Sequence, residues 1–139
     1  MRLLDIMAIG TLMLTCNAFA QSYKPVVGAY SIEVDHASSF CHVMGDKVAK
    51  STGGHRSPTV NNVRIACMEV VSTQQVVVGK QKLLYAIPLN SSADFCSKVA
   101  SRYLGAKSDS QYIRGSTSYK NCMLELSFQK PIKINNNNG

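Results

Sequence analysis

Five cysteines and three histidines carry most of the reactive chemistry in this chain. Four of the cysteines are regularly spaced: Phe40-Cys41 recurs as Phe95-Cys96, and Cys67-Met68 recurs as Cys122-Met123. An even cysteine set in an exported chain predicts two disulfides. The competing metal reading fails on spacing, because no CxxC or CxxH pattern occurs, so neither a metal nor another cofactor is expected. Four cysteines permit three pairings, and exchanging the two repeats maps each pairing onto itself, so the repeat alone does not choose. Chain proximity does: Cys41 with Cys67 and Cys96 with Cys122 close the shortest loops. Each bridge is expected to contribute about 2–4 kcal/mol. Cys41 and Cys96, at predicted helix starts, could also be activated thiols. Each sits beside a Phe on an apolar face with a matching cysteine, which predicts a structural bridge instead.

The histidines are His36, His42 and His55. In a basic exported protein, His42 and His55 could act as acid and base of a ribonuclease, with a lysine near the phosphate. None of the three has a histidine at the matching position of the second repeat, and no carboxylate is clearly placed to orient an imidazole. Asp35, His36 and His42 form the nearest metal-like cluster, without a recognised ligand spacing. No nucleophile elbow, HExxH, phosphate loop or dinucleotide fingerprint is present. These features predict a protein that is not an enzyme.

The charge is lopsided, with 15 Lys+Arg against 8 Asp+Glu, a net +7. That balance favours anionic surfaces or acidic proteins as partners. Lys47 and Lys50 share one predicted helix face and Lys98 and Arg102 another, making these four the candidate contacts to an anionic partner. Lys80 and Lys82 fall at the central turn, and Lys130 and Lys133 near the end. Nucleic acid is not expected, because the chain reads as exported and lacks the aromatic-rich strand signature of RNA-binding sheets.

The elements that must position these residues begin with a processing signal. Arg2 supplies a basic start, Ile6 to Leu14 an apolar stretch, and Ala18-Phe19-Ala20 a small-residue cleavage site before Gln21. Residues 1–20 are therefore predicted to be a signal peptide. Their removal takes Cys16, one base (Arg2) and one acid (Asp5), so the mature charge is unchanged. The apolar stretch is too short for a bilayer span, and no transmembrane segment is expected after processing.

From 21 to 134 the chain reads as one domain built from two similar units, about 28–78 and 82–129, with a polar, disordered tail at 135–139. Each unit predicts a strand (28–34, 82–89), a helix, a polar loop and a second strand. Phe40, Met44 and Val48 keep helical spacing after Ser38-Ser39, as do Phe95, Val99 and Tyr103 after Ser91 and Asp94, a pair resembling a capping box. Gly53-Gly54 and Gly105 supply the stops. The second strands are placed at 62–71, with a continuation through Val76 to Val78, and at 119–128, where Cys122, Leu124, Leu126 and Phe128 alternate with polar residues. Met68 and Met123 then point away from the helices. Gly79-Lys80 forms the turn between units.

The expected fold is α+β, a ferredoxin-like split βαβ-βαβ arising by internal duplication, with two helices on one face of an antiparallel sheet and two disulfides. The function expected is that of a non-enzymatic binding domain, periplasmic or secreted, meeting an anionic envelope polymer or an acidic protein. The alternatives are a small inhibitor or immunity-type protein that binds an enzyme, and the secreted ribonuclease.

Overall fold

A computed structural model describes residues 26–53, 56–106 and 111–135. The chain divides into two compact units, Gly28–Ile132 and a second made of Met1–Val27 with Lys133–Gly139. The predicted signal segment lies outside the described residues, as does the tail beyond Asn135.

The elements run β1 (Val26–Glu33), α1 (Ala37–Thr52), α2 (Arg56–Val71), β2 (Gln75–Val78), β3 (Leu83–Pro88), α3 (Ser92–Leu104), α4 (Gln111–Gly115), α5 (Thr117–Ser127) and β4 (Pro131–Asn135). Short 3-10 turns, Val34–His36 and Leu89–Ser91, lead from β1 into α1 and from β3 into α3. The strands form one antiparallel sheet in the order β2-β3-β1-β4. Register is set by pairs such as Ile32 with Tyr85 and Glu33 with Leu84 between β1 and β3, and Val76 with Tyr85 between β2 and β3. Because side chains alternate across a sheet, Tyr30, Ile32, Tyr85 and Ile87 share one face, and the helices pack on it.

The α+β class, antiparallel sheet and two cysteine pairs agree with the sequence reading; the helix count does not. Residues 62–71 and 119–128, expected as strands, are helical. In α2 the buried set is Val63, Ala66, Cys67, Val70 and Val71, a stripe at helical spacing. Its many β-branched residues suggested a strand, but tertiary burial outweighs that weak local preference. In α5 the buried set is Ser118, Cys122, Glu125 and Leu126, whereas Leu124 and Phe128 of the apparent period-two pattern are exposed. Each crossover therefore carries a pair of long helices, with the short α4 added in the second, instead of the single helix expected. Met68 and Met123, expected to point away from the helices, flank the helical core.

The core joins Ile32 and Ile87 of the sheet to Phe40, Met44 and Val48 of α1, the α2 stripe, Phe95 and Val99 of α3, and Leu126 of α5. Each large apolar side chain buried this way contributes about 1.5–3 kcal/mol against exposure. At its centre lie the disulfides Cys41–Cys67 and Cys96–Cys122, the pairing that loop length favours, each with Cα atoms 5.5 Å apart. Each joins two helices of one crossover, not a helix and a strand as expected. Both Cys41 and Cys96 are fully buried, which removes the reactive-thiol reading.

Helix ends follow local chemistry. Gly53 (φ 65°) and Gly105 (φ 69°) close α1 and α3 in the left-handed region that glycine enters without steric cost. The expected serine caps of these two helices are absent: α1 starts at Ala37, after His36, and neither His36 nor Ser91 makes a capping side-chain bond. The preceding 3-10 turn takes over part of that role, the Ala37 N–H donating to the Val34 carbonyl. Asp94 instead pairs with Lys98 at 3.0 Å.

Candidate functional site

The four cations selected from sequence do not converge. Lys50 pairs with Asp46 at 2.8 Å and Lys98 with Asp94 at 3.0 Å, each within its own helix. Arg102 reaches from α3 to Glu69 on α2 at 2.7 Å. Lys47 binds the buried carboxylate of Glu125 on α5, with its ammonium 5.0 Å from the centre of the Phe128 ring. All four are thus matched by a carboxylate inside the molecule. The three other than Lys47 remain half exposed, where such pairs contribute little to stability.

A second group of cations gathers at one end of the sheet. Here the C-terminal end of β1, the β2–β3 hairpin, the first turns of α1 and the α5–β4 junction surround a groove of about 850 Å³. The topology makes this convergence necessary. In an antiparallel sheet of this order, the hairpin after β2 and the entry into β4 lie at the end where β1 finishes. Ser31 fixes the junction, its N–H and hydroxyl both donating to the Lys130 carbonyl, at 3.0 and 2.8 Å.

Ile32, Phe40, Val43, Leu84 and Ile132 give the groove apolar walls, while Lys80, Lys82 and Lys130 stand at its rim with Glu33 and His36. Lys82 is held by Glu33 at 3.1 Å, and Glu33 also meets His36 Nδ1 at 2.8 Å. The hydrogen bond from Lys82 holds the Glu33 carboxyl below its ordinary value of 4.5; desolvation opposes this, and the charges of Lys82 and His36 add to it. Lys80 and Lys130 are exposed and have no carboxylate partner among the described residues. Beside the groove, α1 and α5 expose Val43, Leu124 and Phe128 around the Lys47–Glu125 pair.

Sequence reasoning placed Lys80, Lys82 and Lys130 at a turn and near a strand end but did not bring them together. The expected arrangement could not do so: with its last strand at 119–128, Lys130 falls beyond the strand exit, whereas β4 starts at Pro131 and places Lys130 at its entry, the end that also holds the hairpin. Val43, Leu124 and Phe128 carried no signal either, because the last two were assigned to the buried face of a strand.

His42 is exposed on α1, beside a shallow depression of about 420 Å³ with Asp46, Ser57 and Arg64, and His55 lies outside the described residues. His36 is committed to Glu33. Among the described residues no three of His, Cys, Asp or Glu converge as a metal set, and no helix is long and apolar enough to cross a membrane. The arrangement at the sheet end sets apolar walls beside exposed cationic side chains. No family model, curated protein or solved structure matches the chain.

Proposed function

We propose that this chain is an exported, disulfide-stabilised, non-enzymatic binding domain whose groove takes an acidic protein segment. The observation that carries the reading is the pairing of apolar walls with two lysines at the rim, Lys80 and Lys130, that have no carboxylate partner among the described residues. A polyanionic envelope polymer would be met by the rim alone and would leave the exposed Val43 and the half-buried Leu84 and Ile132 uncovered. A polypeptide with mixed acidic and apolar side chains satisfies both. Val43, Leu124 and Phe128 stand exposed around an ion pair and offer a polypeptide partner a small apolar surface with a polar surround. That favours the inhibitor or immunity-type version of the reading over the envelope-polymer version. Two buried disulfides fit an oxidising compartment, periplasmic or extracellular.

The architecture fits a duplicated, ferredoxin-like split in which each crossover has gained a helix. Strand, 3-10 turn, helix, helix and strand follow in the same order twice, with the short α4 added between the helices of the second, and both disulfides span 26 residues.

The test compares binding of two probes, isolated cell-wall sacculi and an immobilised panel of acidic-apolar peptides, to the oxidised chain. With both Lys80 and Lys130 reversed to Glu, peptide binding is expected to fall by about tenfold or more. Reversing both Lys50 and Lys98 should leave it within about twofold. Equal losses from the two double variants, or retention on sacculi alone, would overturn the reading.

A further inference from the structure

The β2 strand is an edge, paired with β3 and with no strand on its other side among the described residues. Which of its backbone groups face outward follows from the hairpin. Gly79 and Lys82 exchange both hydrogen bonds, N–H of Gly79 to the Lys82 carbonyl at 2.8 Å and N–H of Lys82 to the Gly79 carbonyl at 3.4 Å. Antiparallel pairs alternate between bonded and non-bonded. Val77–Leu84 and Gln75–Ala86 are therefore bonded, while Val78–Leu83 and Val76–Tyr85 are not. The amides and carbonyls of Val76 and Val78 point away from the sheet. The same phase, carried across β3 and β1, requires the Ser31 amide to face β4, and it does donate to Lys130.

The two residues with outward backbone groups are also apolar and uncovered: Val78 is 80% exposed and Val76 49%, and the neighbouring Leu83 is 54% exposed. Proteins ordinarily shield such an edge with charge, proline or a covering segment. Here the valines stand open, and the first charge along the edge is Lys80, in the hairpin turn two residues beyond Val78.

We infer that β2 accepts an extended segment of an acidic partner protein as a fifth strand. Side chains of the added strand opposite Val76 and Val78 share one face, and Lys80 stands in the turn just beyond them. The segment recognised thus carries two apolar residues spaced by two, with Asp or Glu beyond them at the end nearest the hairpin, within reach of Lys80. Main-chain bonds to Val76 and Val78 give affinity, and Val76, Val78, Leu83 and Lys80 give selection. A second copy of this chain is the less suitable occupant, since it brings another net +7 and its own β2 offers no acid for Lys80. The inference deepens the proposed function, resting on its acidic protein partner but locating a contact outside the groove walls.

The experiment uses amide-resolved NMR on the oxidised chain with two peptides, Ser-Val-Thr-Val-Thr-Glu-Ser and its reversed order, so that parallel and antiparallel addition are both offered. N-methylated twins, blocked along the backbone edge that would pair, are the controls. The expected result is slowed exchange at the Val76 and Val78 amides with one peptide, lost with its twin and lost in Val78→Pro. That proline removes only an outward-facing N–H, so the β3 pairing survives; the methylated peptides test the same bond without altering the protein. Shifts confined to Val43, Lys80 and Lys130 would overturn strand addition while leaving the groove reading standing. Failure of both peptides to slow exchange at Val76 and Val78 would also overturn it. Concentration-dependent protection without peptide, abolished by Val78→Pro, would give the edge to a second copy.

Discussion

Glu33 is the residue on which the rim depends. It holds Lys82 on one side and His36 on the other, and its carboxyl is kept below 4.5 mainly by the Lys82 hydrogen bond. A carboxylate with a depressed folded value contributes stability above its unfolded value, and this is lost as pH falls through the folded one. On acidification below about pH 4.5, Lys82 is released and the hairpin tip loosens. Hydrogen exchange at Lys82 is expected to rise in that window for the native chain and to be already raised, with no pH step there, in Glu33→Gln. An equal step in both would dissociate the tip from Glu33. A different economy governs Lys47 and Glu125. The carboxylate is only 7% exposed, and removing Lys47 would leave a buried charge unpaired, a larger disturbance than losing any of the half-exposed pairs.

At the scale of elements, the α1–α2 pair is the tightest joint. A methyl group at Gly45 would come within 2.6 Å of the Val60 carbonyl oxygen and 3.1 Å of its Cα, backbone atoms that cannot turn aside. Gly45→Ala is therefore expected to force the two helices apart and to lower stability by about 1–3 kcal/mol, despite alanine's better helix propensity. Denaturant titration checks it; an unchanged midpoint would show that the joint is slack. This helix pair also marks the limit of what the sequence disclosed. The first helix of each crossover was legible, because Phe40, Met44 and Val48, or Phe95 and Val99, keep an apolar stripe between a turn and a glycine stop. The disulfide pairing was legible from loop length. The second helices were not, for two separate reasons. In α5 the buried stripe contains Ser118 and Glu125, polar residues that conceal the helical period, while the exposed Leu124 and Phe128 complete a false alternation. In α2 the stripe is apolar, but β-branched side chains dominate its last turns. The groove followed the same divide: its rim residues were individually visible, but their meeting required the strand order.

For the whole molecule, the +7 is distributed unequally in effect, if not in number. The helices carry ion pairs alongside the cations Arg64, Arg114 and Lys120, while the sheet end sets Lys80 and Lys130, without carboxylate partners among the described residues, beside the apolar groove. Association with an acidic peptide from the panel is therefore expected to slow with added salt, most steeply below about 0.15 M, where screening lengths still exceed 8 Å. Stopped-flow rates measured across that range check it, and a flat salt dependence would place recognition on the apolar walls alone.

The disulfides have a further consequence. Cys41–Cys67 lies wholly before the β2–β3 hairpin and Cys96–Cys122 wholly after it, so no covalent bond but the peptide chain itself joins the two halves. A single proteolytic cut at Lys80-Gln81 turns one polypeptide into two closed loops, separable on a non-reducing gel. Mixing such halves from differently labelled molecules opens a route to exchange, in which the halves of the sheet can be reassorted without any thiol being freed.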